Sequence, residues 1–209
     1  MMERYKILFE GGEGELTEKK SRFIATTRPV ESEEEAVAFI DEMKKKYWDA
    51  RHNCSAYVIG ERGQVQRCSD DGEPAQTAGR PMLDVLLGAE VKNICVVVTR
   101  YFGGILLGAG GLVRAYSKGA SAAVEAAQVM HMTVCKTVVL ELDYAYYDKL
   151  NYLLPKFHIV VKEVEYGEKI RAVYQMKEQF LEGFCRELQE LTGGKTQAVV
   201  IGEEYADLP

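Results

Sequence analysis

An α+β protein of two domains is what this sequence predicts, and three observations carry the prediction. An apolar, β-branched run from Ile94 to Thr99 breaks into Gly103, Gly104, Gly108, Gly110 and Gly111, then into a helical pattern of small residues from Leu112 to Ala127. From Val134 to Ile201 the patterns follow as β-α-β-β-α-β, the split order of a ferredoxin-like domain. The change between the two regimes falls near residue 130, which divides the chain into residues 1–130 and 131–209.

Taken in order, Tyr5 to Phe9 reads as a strand, Gly11 to Glu15 as a hairpin tip and Ser21 to Val30 as the partner strand. A helix starts at Glu31-Ser32-Glu33. Its first turn is acidic and its last turn basic (Lys44, Lys45, Lys46), both favourable to the helix dipole, and Val37, Phe39, Ile40, Met43 and Tyr47 form its apolar stripe. Asn53 to Ile59 and Gln64 to Cys68 read as an antiparallel pair about a turn at Glu61-Arg62-Gly63, and a helical pattern ends at Leu87. In the second half, strands are expected at Val134–Leu142, Ile159–Tyr166, Ile170–Met176 and Ala198–Ile201, with helices at Tyr146–Leu154 and Gln179–Leu191.

Two stretches between these elements have the chemistry of a site. A strand, a glycine loop and a helix start in that order can hold an anion, because unpaired N–H groups and the helix dipole converge there. Arg100 before the loop and Arg114 and Lys118 after it supply cations, and Arg80 could add a fourth. The loop is neither of the familiar phosphate fingerprints, since no Gly-Lys-Ser/Thr follows Gly108 and Val113 stands where a dinucleotide motif has its third glycine. Tight packing of strand, loop and helix would use the same glycines.

The second stretch is Ser69-Asp70-Asp71-Gly72-Glu73-Pro74. Asp70, Asp71 and Glu73, with Thr77 and His52 nearby in the pattern, could serve a divalent metal or acid/base chemistry. A turn with an N-cap and a proline near the first helical position explains the same residues.

Composition excludes several classes. With 47% apolar and 28% charged residues the chain has no disorder signature, and its start lacks a signal-peptide core, so a cytoplasmic protein is expected. The formal charge of -6 argues against a general nucleic-acid binder, DNA included, so any basic surface is a local patch. Five cysteines at 54, 68, 95, 135 and 185 never form a C-x-x-C pair and read as free thiols. No metal, cofactor or membrane span is expected.

Three blocks, RHNCSAYVIG (Arg51–Gly60), SDDGEPAQTAGRP (Ser69–Pro81) and VVVTRYFGGILLGAGGLVRAY (Val96–Tyr116), together resemble the YigZ/IMPACT family. The resemblance implies a first domain like the second domain of a small-subunit ribosomal protein and domain IV of elongation factor G. It implies a ferredoxin-like second domain like that factor's last domain. In eukaryotic relatives the associated role is regulation of translation under amino-acid stress, and the resemblance transfers no catalytic residue. The leading expectation is a binding protein that meets the ribosome or structured RNA with Arg80, Arg100, Arg114, Lys118 and the glycine loop. The rival is a small-molecule enzyme or ligand-binding protein using the acidic stretch and His52. A scaffold for a protein partner is the third reading.

Overall fold

The run from Ile94 is apolar without alternation because it lies mid-sheet with helices on both sides. The structure, a computed structural model, describes residues 4–208. In chain order its elements are β1 (Arg4–Glu10), β2 (Glu13–Glu18), β3 (Ser21–Pro29), α1 (Glu33–Lys46), β4 (His52–Ile59), β5 (Val65–Ser69), α2 (Gly79–Ala89) and β6 (Val91–Lys92). There follow β7 (Ile94–Tyr101), α3 (Ala109–Glu125), β8 (Gln128–Leu142), α4 (Tyr144–Leu153), β9 (Val160–Tyr166), β10 (Ile170–Lys177), α5 (Glu178–Thr192) and β11 (Val199–Ala206). The α+β class predicted from the sequence is the one observed. The chain forms two compact units, Arg4–Met130 and the residues from His131 onward.

In the first unit the sheet order is β2-β3-β7-β4-β5, every neighbouring pair antiparallel. Ile94, Val96 and Val98 of β7 point into the core under α2 and α3, while Cys95 and Val97 meet Phe39 and Met43 of α1 on the other face. Such a strand needs apolar residues at every position, hence the continuous run. The small residues of α3 let it lie close. Ala115, Gly119, Ala120 and Ala123 are buried, and a Cβ on Gly119 would be 3.6 Å from Val98. Ser32 caps α1 by accepting the Glu35 N–H at 3.2 Å, as its acidic first turn suggested.

The predicted hairpin is corrected. Residues 13–18 are not a tip but the strand β2, which pairs with β3 about a two-residue turn at Lys19-Lys20, with φ of 45° and 64°. Neither lysine is a residue that marks such a turn, so the pattern hid it. β1 instead pairs in parallel with β6. Helix α3 also starts earlier than expected, so Gly110 and Gly111 belong to its first turn.

The second unit has the strand order β9-β10-β8-β11, all antiparallel. With α4 and α5 in their expected places, this is the ferredoxin-like arrangement. Leu140, Ala172, Tyr174 and Met176 pack under Leu150, Phe184 and Leu188 of the helices.

Candidate functional site

β3, β4 and β7 place Phe23, His52 and Arg100 side by side, because Arg100 is opposite Phe23 in one neighbour and His52 in the other. Directly opposed residues share a face, so all three lie on the face covered by α2 and α3. At this end of the sheet come together the Lys19-Lys20 turn, the 47–51 turn, the 70–78 loop, the 102–108 loop and the start of α3.

Arg100 is where the two chemically unusual stretches meet. Its Nη1 donates to Glu73 Oε1 at 2.6 Å, and the Tyr116 hydroxyl donates to the same oxygen at 2.8 Å. Arg100 and Glu73 are only 6% and 9% exposed. The guanidinium is 5.6 Å from the ring centres of both Phe23 and Phe102, within cation–π range. Tyr116 meets Phe23 edge to face at 5.2 Å. Burial, with Cys54 and Glu73 beside it, pushes the Tyr116 hydroxyl well above the usual tyrosine range, so it remains a donor. The Cys54 thiol is likewise pushed up by burial, which leaves it a poor nucleophile, and it donates to the Asp70 carbonyl at 3.0 Å.

The other acidic groups are also engaged. Asp70 accepts from the N–H groups of Gln76, Ala78 and Gly79 at 2.8, 3.0 and 2.8 Å. It therefore caps α2 from nine residues upstream of the first helical position, since the N-cap Ala78 has no side chain to do so. Burial opposes ionisation of Asp70, but the three N–H bonds outweigh it and hold the carboxyl below the ordinary aspartate range. Asp71 accepts the Asn53 N–H at 2.7 Å and pairs with Lys44 at 2.9 Å. His52 Nδ1–H donates to the Asp71 carbonyl at 2.9 Å, and Thr77 Oγ1 donates to the Pro74 carbonyl at 2.6 Å.

Asp70→Ala is expected to cost about 2 kcal/mol, the upper range for a helix cap. The sign with pH follows from the lowered pKa: the stabilisation is complete above the unfolded aspartate value and is lost as pH falls through the folded one. Urea midpoints of wild type and variant should therefore converge in acid; a constant gap would show that ionised Asp70 is not the cap.

The cations predicted to act together divide into two kinds. Arg100 is buried against Glu73, and Arg80 pairs with Asp84 at 2.9 Å, so neither is the free surface cation expected. Arg114 and Lys118 are exposed on α3 and form no ion pair among the described residues, and the same holds for Lys19, Lys20 and Arg51. The glycines divide similarly. Gly103 is a packing residue: a Cβ there would come within 2.0 Å of the Lys20 carbonyl, and its N–H donates to Ser21 Oγ at 3.2 Å. Gly111 is packed on Leu107, whereas Gly104 and Gly108, at φ of 84° and 71°, face open space. Gly110 is close only to Arg114. Gly108 is the N-cap of α3 and offers no side chain to its first N–H groups.

Sequence reasoning passed over four apolar residues at this end. Trp48 and Leu106 are 82% and 83% exposed, and Phe102 and Ile105 are 43% and 42% exposed. Phe102-Gly-Gly-Ile-Leu-Leu reads as core in a linear pattern, and only Leu107 of its leucines is buried. Among the described residues no cluster of His, Cys, Asp and Glu could hold a metal ion, and no helix is long and apolar enough to cross a membrane.

The model of the Impact N-terminal domain matches residues 19–124, and that of a domain of unknown function, DUF1949, matches residues 140–195. A Bacillus subtilis protein described as IMPACT family member YvyE is 42% identical over 196 residues, spanning 94% of this chain and 90% of its own length. The chain belongs to the IMPACT family. The Escherichia coli IMPACT family member YigZ is 35% identical over 187 residues, spanning 88% of this chain and 92% of its own. A crystal structure described as that of a hypothetical protein is 34% identical, with a TM-score of 0.61 over 98% of this chain and 100% of its own. In this IMPACT family member the Arg100 network, the 70–78 and 102–108 loops and the unpaired cations all lie inside the matched Impact N-terminal domain.

Proposed function

We propose that the protein is a binding protein of the translation apparatus that touches ribosomal or other structured RNA with one end of its first unit. The observation that carries this reading is the charge inventory at that end. Asp70, Asp71 and Glu73 are committed to internal partners, while Arg51, Arg114, Lys118 and the Lys19-Lys20 turn are exposed and unpaired. Around them the open glycines Gly104, Gly108 and Gly110 admit a phosphate backbone, and the first N–H groups of α3 face outward to meet it. The family membership and the resemblance to translation-factor domains support the same partner.

With a net charge of -6, contact is local and salt-sensitive rather than general. Arg114→Ala/Lys118→Ala should weaken co-sedimentation with ribosomes several-fold at low salt. It should also flatten the salt dependence, since each lost phosphate contact removes about 0.7 to 0.9 from the log–log slope. A double variant that binds as the wild type does at every salt concentration removes the assignment.

A further inference from the structure

We propose that this end takes an unpaired RNA base, stacked on Trp48, with Phe102 and Leu106 closing over the same apolar spot. The inference rests on the reading above that RNA is the partner, and adds which part of an RNA is recognised.

The Trp48 turn and the 102–108 loop are tied together by a single bond: the Tyr101 hydroxyl donates to Asp49 Oδ1 at 2.8 Å. Asp49 follows Trp48 and Tyr101 precedes Phe102, so the indole and the apolar loop flank one anchored point. Trp48 at 82% and Leu106 at 83% exposure are almost wholly in water, an arrangement that stabilises nothing in the free protein. Arg51 and the Lys19-Lys20 turn are at the same end of the sheet, with Glu18 subtracting one charge from this set. Apolar faces inside a ring of cations complement a ligand with a flat apolar surface and an anionic backbone. An unpaired nucleotide has both; paired bases in an A-form helix keep their faces stacked away, so a duplex can use the cations alone. The loop holding Leu106 is presented by Gly104 and Gly108, which leave its two sides open to an approaching strand.

Trp48 is the single tryptophan of the chain, so its fluorescence reports the site directly. The test titrates the full chain with an RNA hairpin bearing an unpaired loop and with a blunt duplex of equal charge. Labelled RNA gives the affinity and tryptophan emission gives the contact. The hairpin should quench Trp48 and bind roughly fivefold or more tighter than the duplex, by the ordinary size of base–aromatic stacking. Trp48→Ala should bring hairpin binding down to the duplex level, and Trp48→Phe should restore part of it; both change an exposed residue and leave the fold intact. Arg114→Ala/Lys118→Ala should weaken hairpin and duplex alike. Equal binding of hairpin and duplex with Trp48 unquenched would overturn the stacking inference and leave the phosphate reading standing. Binding of neither RNA would overturn both. A blue shift of Trp48 on anionic phospholipid vesicles without any RNA response would also overturn it, and would give the apolar tip to a membrane surface.

Discussion

Glu73→Ala is expected to destabilise the first unit by about 3–5 kcal/mol, the cost of leaving a buried charge without its partner. Arg100 is 6% exposed, and its remaining neighbours are two aromatic rings and the Ser21 hydroxyl at 3.5 Å. None of these replaces a carboxylate. Since a whole domain is stable by only about 5–15 kcal/mol, the loss should be visible as a large fall in the urea midpoint. Tyr116→Phe should cost less, about 1–2 kcal/mol, because it removes one neutral donor from Glu73 Oε1 and keeps the ring contact with Phe23. The Glu73→Leu/Arg100→Met double variant should be nearer to wild type than Glu73→Ala, as buried pairs exchanged together for apolar residues often are. If Glu73→Ala is within about 0.5 kcal/mol of wild type, water reaches Arg100 and the network is not the lock described here.

Gly103→Ala is expected to be the most damaging change within the glycine loop. The added Cβ would sit 2.0 Å from both the carbon and the oxygen of the Lys20 carbonyl, a clash with backbone that no rotamer relieves. Either the loop or the Lys19-Lys20 turn must move, at about 2–3 kcal/mol. Gly110→Ala provides the contrast. It lies in the first turn of α3, and its Cβ would meet only the Arg114 guanidinium at 3.6 Å, so the fold should gain slightly from the better helix former. Thermal melts of the two variants should therefore move in opposite directions. Equal losses would mean that the glycines serve one common packing purpose.

That contrast also shows what could be read from the chain. The central strand was legible because burial on two faces demands unbroken apolar residues from Ile94 to Val98. The second unit was legible because strands and helices alternate at ordinary lengths, and its strand order then follows from the ferredoxin-like class. The turn at Lys19-Lys20 was not, because lysine at positive φ is held there by the pairing of β2 with β3 rather than by its own preference. The acidic stretch was recognised as unusual, but not its use. Glu73 is 27 residues from Arg100 and 43 from Tyr116, and only the packing of α3 on the sheet brings the three together. Asp70 reads as an ordinary N-cap in sequence, yet it caps a helix whose first residue is nine positions away. Nor could exposure be read: Phe102, Ile105 and Leu106 look like core until the loop is seen to project.

The central claim is that the unpaired cations of the first unit, not the buried Arg100, carry contact with RNA. The most direct measurement is the salt dependence of ribosome co-sedimentation for wild type and Arg114→Ala/Lys118→Ala, with melting curves confirming that both are folded. A weaker and flatter salt dependence in the folded double variant is the predicted result. Indistinguishable curves would contradict the claim.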